Sequence, residues 1–181
     1  KDSLKMISKG KIGLRAVEKA DLTQLKEWRN NPDFRKHFRE IRELSDANQE
    51  RWFENLNQDS NSYFFSIVSL ESGSIIGAGG LLYINWLIKS ADFSFYMGDS
   101  NEYVSTSERC IDAISALLDY GFGTLGLNKV WMELYENDDR KLKLFKDSFN
   151  FSIDGVFRDN WFENGYHNSF LLTLLQDEYS G

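Results

Sequence analysis

The 181-residue chain is poor in the residues that cross-link or interrupt a fold. It has one cysteine, Cys110, and one proline, Pro32. A single cysteine excludes an intramolecular disulfide and any zinc site built from several cysteines. No apolar run approaches the roughly 18 residues that a membrane-spanning helix needs. We therefore expect a cytoplasmic protein with no membrane partner.

Positive charge is also in short supply. The chain carries 21 lysines and arginines against 28 aspartates and glutamates, a formal net charge of -7. Nucleic-acid-binding surfaces are basic, so this balance argues against a nucleic-acid partner. An acidic surface suits a cationic substrate such as an amine, although a local group of arginines can still bind an anion. With only two histidines and one cysteine, we expect no metal site.

Hydrophobic residues are sufficient for a core, at 41% of the chain, and aromatic residues reach 15%. This content and length are typical of one domain. We expect residues 1–10 to form a flexible N-terminal segment, residues 11–176 the folded domain, and residues 177–181 a C-terminal tail.

The residue pattern predicts an α/β domain. Strands are expected over residues 11–17, 63–70, 75–85, 89–97, 130–135, 152–162 and 166–175, and helices over residues 22–30, 45–56 and 138–148. A further amphipathic helix opens at residues 104–107 and reaches Phe122. Asn164-Gly165 is a strong two-residue hairpin signal between the last two strands. This order predicts one mixed, mostly antiparallel sheet with helices on both faces.

The most informative stretch is the loop between the fourth predicted strand and the long helix. A strand, a tight loop and a helix N-terminus in this order present backbone N–H groups to a phosphate. The loop reads Glu102-Tyr103-Val104-Ser105-Thr106-Ser107 and has no glycine to let a backbone approach a phosphate closely. Ser105 and Glu108 have the S-x-x-E spacing of a capping box, which predicts a helix start at Ser105 that uses some of the same donors.

Four short motifs follow one another along the chain. They are Leu14-Arg15-Ala16-Val17, Trp28-Arg29-Asn30-Asn31-Pro32, Leu125-Gly126-Leu127-Asn128-Lys129-Val130 and Phe151-Ser152-Ile153-Asp154-Gly155-Val156-Phe157-Arg158. Together they resemble the GNAT acyltransferase superfamily, in the branch that acetylates ribosomal-protein N-termini, aminoglycosides or amino-sugar nucleotides. The resemblance covers about residues 11–176. It implies a GNAT-like fold and an N-acetyltransferase with acetyl-CoA as its co-substrate.

The resemblance implies a cofactor site along the fourth predicted strand and the loop after it. In the family a Q/R-x-x-G-x-G/A loop wraps the CoA pyrophosphate, and the pantetheine arm pairs with that strand's backbone. Both loop glycines are serine here, and the basic residue is Glu102. The residues carried over as cofactor contacts are Phe95, Tyr96, Met97, Val104, Ser105, Thr106, Ser107, Arg109 and Asn137.

For catalysis the resemblance implies a base for the amine and an acid for the departing thiolate. The tyrosine that often supplies the acid's proton is Phe145 here, which leaves Tyr96 and Tyr135 as candidate acids. Asp92, near the start of the fourth predicted strand, is the candidate base. His37 is an alternative base because its intrinsic pKa lies near neutrality.

A group of polar residues after the first predicted helix is expected to line the acceptor site. Arg29, Asn30 and His37 are the candidates, and arginines there suit an acceptor with a phosphate or carboxylate, such as a nucleotide-sugar. Carboxylates alternate with them, so a solvated charged loop is an alternative interpretation. The implied acceptor is a small-molecule amine, such as an amino-sugar or aminoglycoside, or a peptide N-terminus. A homodimer is an open possibility.

The altered loop leaves two further hypotheses open. A GNAT-fold binding or interaction domain with reduced or no CoA binding would explain why both loop glycines and the helix tyrosine are missing. A different acyl donor, such as an acyl carrier protein, keeps the pantetheine arm but lacks the adenosine pyrophosphate. The loop would then matter less.

Overall fold

The computed structural model describes residues 6–181, so the prediction for residues 1–5 lies outside the described residues. One sheet runs through this part of the chain in the order β1-β2-β3-β4-β5-β6-β8-β7. Every neighbouring pair is antiparallel except β5 and β6. The strands are β1 Ile7–Lys9, β2 Ile12–Ala16, β3 Tyr63–Ser69, β4 Ile75–Asn85, β5 Ser90–Met97, β6 Lys129–Tyr135, β7 Ser152–Phe162 and β8 Tyr166–Leu175. The predicted α/β fold with a mixed, mostly antiparallel sheet is confirmed.

Five helices lie in the same part of the chain. They are α1 Leu22–Asn30, α2 Pro32–Arg35, α3 Asp46–Gln58, α4 Glu108–Asp119 and α5 Asp139–Phe149. The short α2 was not predicted from the sequence. Proline fits the first turn of a helix, and the Asn31 side chain caps α2 by accepting a hydrogen bond from the backbone of Asp33.

Both predicted ends of the domain differ from the structure. Ile7–Lys9 pairs with β2, with Ile7 opposite Leu14, so the sheet begins before residue 11. At the other end the ring of Tyr179 stacks on Phe122 with 4.9 Å between ring centroids, and its hydroxyl bonds to Asp119. Part of the expected tail therefore packs on the domain.

Strands β5 and β6 separate soon after they begin. They pair only at Ser90↔Lys129, Ala91↔Val130 and Asp92↔Trp131. Beyond this point β5 stays paired with β4, whereas β6 stays paired with β8. The gap between the diverging strands is called the slot below, and its apex lies at Asp92.

The glycines of β4 let neighbouring backbones approach closely. A Cβ at Gly80 would lie 2.2 Å from the carbonyl oxygen of Tyr63 and 2.6 Å from the Cα of Phe64. Both atoms belong to the adjacent strand β3, so they cannot move aside without disturbing the ladder. Gly80 is therefore needed to keep β3 and β4 in register.

We expect Gly80→Ala to lower the free energy of unfolding by roughly 1–3 kcal/mol, because the added methyl group overpacks a rigid strand pair. Urea denaturation measures this change. Gly123→Ala is the matched control, because its Cβ would meet nothing within 4 Å. Equal stability of the two variants would contradict the close approach of β3 and β4.

Candidate active site

The backbone of β5 forms one edge of the slot. The N–H of Met97 donates to the carbonyl of Tyr103 over 2.7 Å, and the N–H of Tyr103 donates to the carbonyl of Met97 over 2.8 Å. Backbone groups alternate in direction along a strand, so those of Phe95 face the same side as those of Met97. Since β6 has already diverged there, Phe95 presents one donor and one acceptor to the slot.

The backbone N–H and carbonyl of Met97, unlike those of Phe95, are not available to a ligand. It was predicted to pair with a pantetheine arm, but both of its groups are bonded to Tyr103. The prediction for Met97 is therefore wrong for the backbone. Tyr103 closes this end of the strand with a left-handed backbone, φ 57°, and a buried side chain.

Asp92 lies at the apex of the slot and is mostly buried. Burial raises its pKa to about 6, with Glu133 adding to the rise, although the charges of Arg39 and Lys141 oppose it. At neutral pH the carboxylate is ionised and only weakly solvated. Such a group is a competent acceptor for a proton from an amine.

Tyr96 and Tyr135, the candidate acids, differ in their surroundings. Tyr96 is buried among the rings of Trp28, Phe34 and Phe38, and burial raises its pKa to about 12, opposed by the charge of Arg29. The ring of Tyr135 stacks on Trp161 at the end of β6, with 5.5 Å between centroids. Neither the acid role of Tyr96 nor that of Tyr135 is tested by these contacts, and both stay predictions.

In the loop before α4, the Glu102 carboxylate accepts the hydrogen bonds that the loop could otherwise donate to a bound anion. It accepts hydrogen bonds from the hydroxyls of Ser105 and Ser107, at 2.5 and 2.6 Å, and from Nε of Arg109 at 2.7 Å. Arg109 also binds Asp99. Burial raises the pKa of Glu102, but these three donors outweigh it and hold the pKa below its usual range. The side chain is only 11% exposed.

This network changes the roles predicted for the loop. Ser105, Ser107 and Arg109 were expected to offer donors to a phosphate, but in this structure they serve Glu102. The predicted capping box at Ser105 is also wrong. Helix α4 begins at Glu108, and Ser107 is its N-cap, because the Ser107 hydroxyl accepts a hydrogen bond from the backbone of Cys110.

The other two loop residues differ in their surroundings, because Val104 bonds to the protein and Thr106 faces solvent. The carbonyl of Val104 accepts a hydrogen bond from Arg140, whose guanidinium also binds the carbonyl of Glu102. Thr106 is exposed, and its side chain makes no hydrogen bond to residues 6–181 in the structure. Of the predicted hydroxyl donors, Thr106 is therefore the one free to meet an anion without rearrangement.

A cavity of about 490 Å³ lies between α1, α3, β4 and β5. Ser94 and Tyr96 of β5 line it together with Arg29 of α1. The guanidinium of Arg29 lies 4.1 Å above the ring centroid of Phe38 and makes no ion pair with any described residue. Burial lowers its pKa despite the opposing charges of Tyr96 and Glu40. The predicted position of Arg29 in an acceptor site fits this cavity.

Asn30 and His37 lie elsewhere. The Asn30 amide binds both the N–H and the carbonyl of Leu44, so it fixes the chain before α3 and is not free for a substrate. His37 lines a second cavity, of about 350 Å³, and stacks on Tyr103 with 4.8 Å between centroids. Burial lowers the pKa of His37 even though Asp138 raises it, so the ring is neutral at neutral pH.

The second cavity contains unpartnered polar atoms. Asn137, predicted as a cofactor contact, lines it with Asp138 and Tyr103. Within the described residues, Nδ1 of His37, Oδ1 of Asn137 and Oδ1 of Asp138 are buried without a hydrogen-bond partner. Buried polar atoms are normally paired. The chemistry of this cavity therefore fits an arm with amide groups, such as pantetheine.

Lys141 was missed by the sequence analysis. It lies on the buried face of α5 with Leu144 and Phe145 and is 8% exposed. Its ammonium lies 5.2 Å from the ring centroid of Tyr103. The apolar spacing of α5 places position 141 on its inner face, and a lysine at an inner position was the available signal.

Two kinds of feature are absent from residues 6–181. No helix in this range is long and apolar enough to cross a membrane. No three His, Cys, Asp or Glu side chains in the described part of the chain are grouped to hold a metal ion.

Comparison with known proteins decides the family. The model of the acetyltransferase (GNAT) domain matches residues 11–148. The chain belongs to the GNAT acetyltransferase family. As a GNAT-type N-acetyltransferase it has acetyl-CoA as its co-substrate, which confirms the enzyme class and co-substrate predicted from the resemblance.

Relatives of this GNAT acetyltransferase match it over nearly their full length. An uncharacterized N-acetyltransferase p20 from Bacillus licheniformis is 25% identical over 176 residues, covering 94% of this chain and 96% of the relative. The spermidine N(1)-acetyltransferase of Vibrio cholerae is 24% identical over 170 residues, covering 93% and 95%.

Solved structures agree with the fold. The crystal structure of the Vibrio cholerae spermidine N-acetyltransferase with CoA and spermine superposes with a TM-score of 0.83 at 24% identity, covering 93% of this chain and 98% of that one. A dodecameric structure of the same enzyme gives a TM-score of 0.76 at 24% identity, covering 93% and 95%.

The pKa of Asp92 has a consequence for stability. Its folded value of about 6 lies above the unfolded value, so ionisation between about pH 4 and pH 6 costs folding free energy. We expect Asp92→Asn to be more stable than the wild type at pH 7, by up to roughly 3 kcal/mol, and the gain to vanish near pH 4. Urea denaturation at both pH values measures it, with the exposed Asp177→Asn as control. A gain that is the same at both pH values would contradict a buried, ionised Asp92.

Proposed function

We propose that this acetyltransferase moves acetyl from acetyl-CoA to the primary amine of a small molecule that also carries a carboxylate or phosphate. The observation that carries the proposal is the juxtaposition of two features on β5. The free backbone of Phe95 faces the slot, while Tyr96 borders a cavity that contains the unpaired cation of Arg29.

The donor side is supported by backbone and amide groups. An arm with amide groups can pair with Phe95 as an added strand would, and it can donate to the buried Oδ1 of Asn137. The N–H of Phe95 is then near the thioester carbonyl, where it can stabilise the oxyanion that forms when an amine attacks. Asp92, at the apex of the slot, takes a proton from that amine.

The acceptor side is supported by charge. Three arginines and one glutamate line the cavity: Arg29, Arg42, Arg51 and Glu40. Glu40 is already paired with Arg42 through two hydrogen bonds of 2.8 and 2.9 Å, which leaves Arg29 and Arg51 in excess. This local positive charge opposes the overall charge of -7 and favours an anion over a second ammonium.

The relatives raise a second candidate, because one of them is named for spermidine. A polyamine carries several positive charges and no negative one, so the positive charges of Arg29 and Arg51 would repel it. Spermidine is therefore the comparison substrate for the proposed anionic amine. A peptide N-terminus and a homodimer stay predictions.

Glu102 sets the affinity for the co-substrate. We expect saturable micromolar binding of acetyl-CoA to the wild type by calorimetry. Glu102→Gln should tighten binding roughly 10- to 100-fold, about 1.4–2.8 kcal/mol, because it removes a negative charge and weakens the hydrogen bonds that hold the donors of Ser105, Ser107 and Arg109. At about 4 Å one unit charge is worth up to about 4 kcal/mol at an effective dielectric constant near 20.

Glu108→Gln is the matched control, because Glu108 begins the same helix but is exposed, and it should change the affinity much less. No binding to the wild type at millimolar acetyl-CoA would contradict the enzyme and favour a binding domain. Equal affinities of the wild type and Glu102→Gln would show that the phosphates bind away from this loop.

Arg29 determines the class of acceptor. We expect Arg29→Met to raise the KM for an amino acid roughly 10- to 100-fold, since a hydrogen bond to a charged group is worth about 1.5–3 kcal/mol. The kcat should change little, because the carboxylate is bound equally in the ground and transition states. Steady-state assays with an amino acid, its decarboxylated amine and spermidine measure the preference.

Arg35→Met is the control, because Arg35 lines neither cavity. A wild type that prefers spermidine to every anionic amine would contradict the proposed acceptor class while leaving the acetyl transfer intact.

A further inference from the structure

We propose that Lys141 is the catalytic acid that protonates the departing CoA thiolate. This inference rests on the acetyl transfer proposed above and assigns the proton donor of that reaction.

The position of Lys141 places its ammonium beside Tyr103, at the far end of β5. Its helix face continues one turn later with Phe145, whose ring contacts Phe93 of β5 with 5.6 Å between centroids. At the open end the ammonium lies against Tyr103, which is bonded to Met97 at the end of β5. At the apex its charge acts on Asp92. Lys141 therefore lies on a helix that packs against β5, with Tyr103 beside its ammonium and Asp92 within electrostatic reach.

The ammonium of Lys141 has no hydrogen-bonding partner among the residues that the structure describes. It also makes no ion pair with them and lies over the ring of Tyr103, 5.2 Å from its centroid. A cation–π contact of this kind leaves the three N–H donors of an ammonium unused. They are therefore available to a sulfur atom that comes within hydrogen-bond reach.

Burial also brings the pKa of the Lys141 ammonium closer to that of the CoA thiol, whose thiolate accepts the proton. Burial lowers the pKa of Lys141, and so does the charge of Arg29, although Asp138 and Asp92 raise it. Free lysine and free thiol have pKa values of about 10.4 and 8.5. A lowered lysine pKa brings the two closer, which favours proton transfer to a thiolate. Tyr96, with its pKa of about 12, is a weaker acid.

Titratable and charged groups reach Lys141 from every element around it. These are Arg29 of α1, His37 after α2, Asp92 of β5, Tyr103 of the loop, Cys110 of α4 and Asp138 before α5. The charges of Asp138 and Asp92 raise the pKa of Lys141 and so oppose the effect of burial.

The proton balance closes within this group. The attacking nitrogen forms the C–N bond, and the C–S bond breaks as its electron pair moves to sulfur. Lys141 gives one proton to sulfur, producing the free thiol of CoA and a neutral lysine amine. The nitrogen of the new amide gives up its extra proton to Asp92, and the proton then returns to Lys141. No other reactant is needed.

Lys141→Met tests the assignment in the 181-residue chain. We expect kcat to fall about 10²- to 10⁴-fold, the Kd of acetyl-CoA to stay within about threefold, and the alkaline limb of the kcat–pH profile to disappear. Lys141→Arg should also be slow, because a guanidinium holds its proton too tightly to transfer it. Lys143→Met is the matched control, since Lys143 is exposed on the same helix and pairs with Asp147.

A second readout requires no acceptor. The ultraviolet absorbance of the CoA thiolate, followed against pH in the complex, gives the pKa of the bound thiol. We expect this pKa to lie below that of free CoA in the wild type and to rise in Lys141→Met. Equal thiol pKa values in the two proteins, or a kcat of Lys141→Met within threefold of the wild type, would overturn the assignment. Failure of the wild type to bind CoA would instead overturn the proposed function, and this inference with it.

Discussion

The divergence of β5 and β6 is the constraint on which the site depends. A parallel pair that stayed together would satisfy the backbone of Phe95 with β6 and leave no edge for a ligand. The strands can part because each has another partner, β4 for β5 and β8 for β6. The antiparallel ladders on both sides thus hold open a gap that would otherwise close by pairing.

The charged side chains that line the cavity beside Tyr96 are mostly positive, although the molecule as a whole is negatively charged. The chain is acidic, yet the cavity beside Tyr96 has an excess of arginine, and Lys141 is buried beside Tyr103. Glu102 has the opposite effect in the loop before α4. Its negative charge offsets the positive charge of Arg109 at the place where a family member would bind phosphate. The same loop is therefore stable without a ligand, and a bound pyrophosphate has to compete with a carboxylate that already holds three donors.

Much of the fold could be predicted from sequence, because the strand and helix periodicities are local. The predicted bounds of α1, β4, β7 and β8 agree with the structure, and the family motifs supplied the topology. The missing glycines of the loop were also visible. The sequence did not show which residue the loop's hydroxyls bond to. Whether Ser105 caps a helix or binds Glu102 depends on the path of the backbone, which passes through Tyr103 in a left-handed conformation.

The site residues show the same division. Arg29 and Asn30 are neighbours in sequence, but one faces a cavity and the other fixes Leu44, and no local pattern distinguishes these outcomes. Lys141 was overlooked because a lysine in a helix is normally solvated. Only the packing of α5 against β5 shows that this one is buried. Long-range contacts, and not composition, decide such cases.

The bonds from Arg140 to the carbonyls of Glu102 and Val104 have a mechanical consequence. They join the loop to the first turn of α5, and Lys141 is the next residue of that helix. A displacement of the loop by an incoming phosphate would pull on the same turn that carries the ammonium. If the phosphates of the co-substrate bind at this loop, their binding would also shift the ammonium of Lys141.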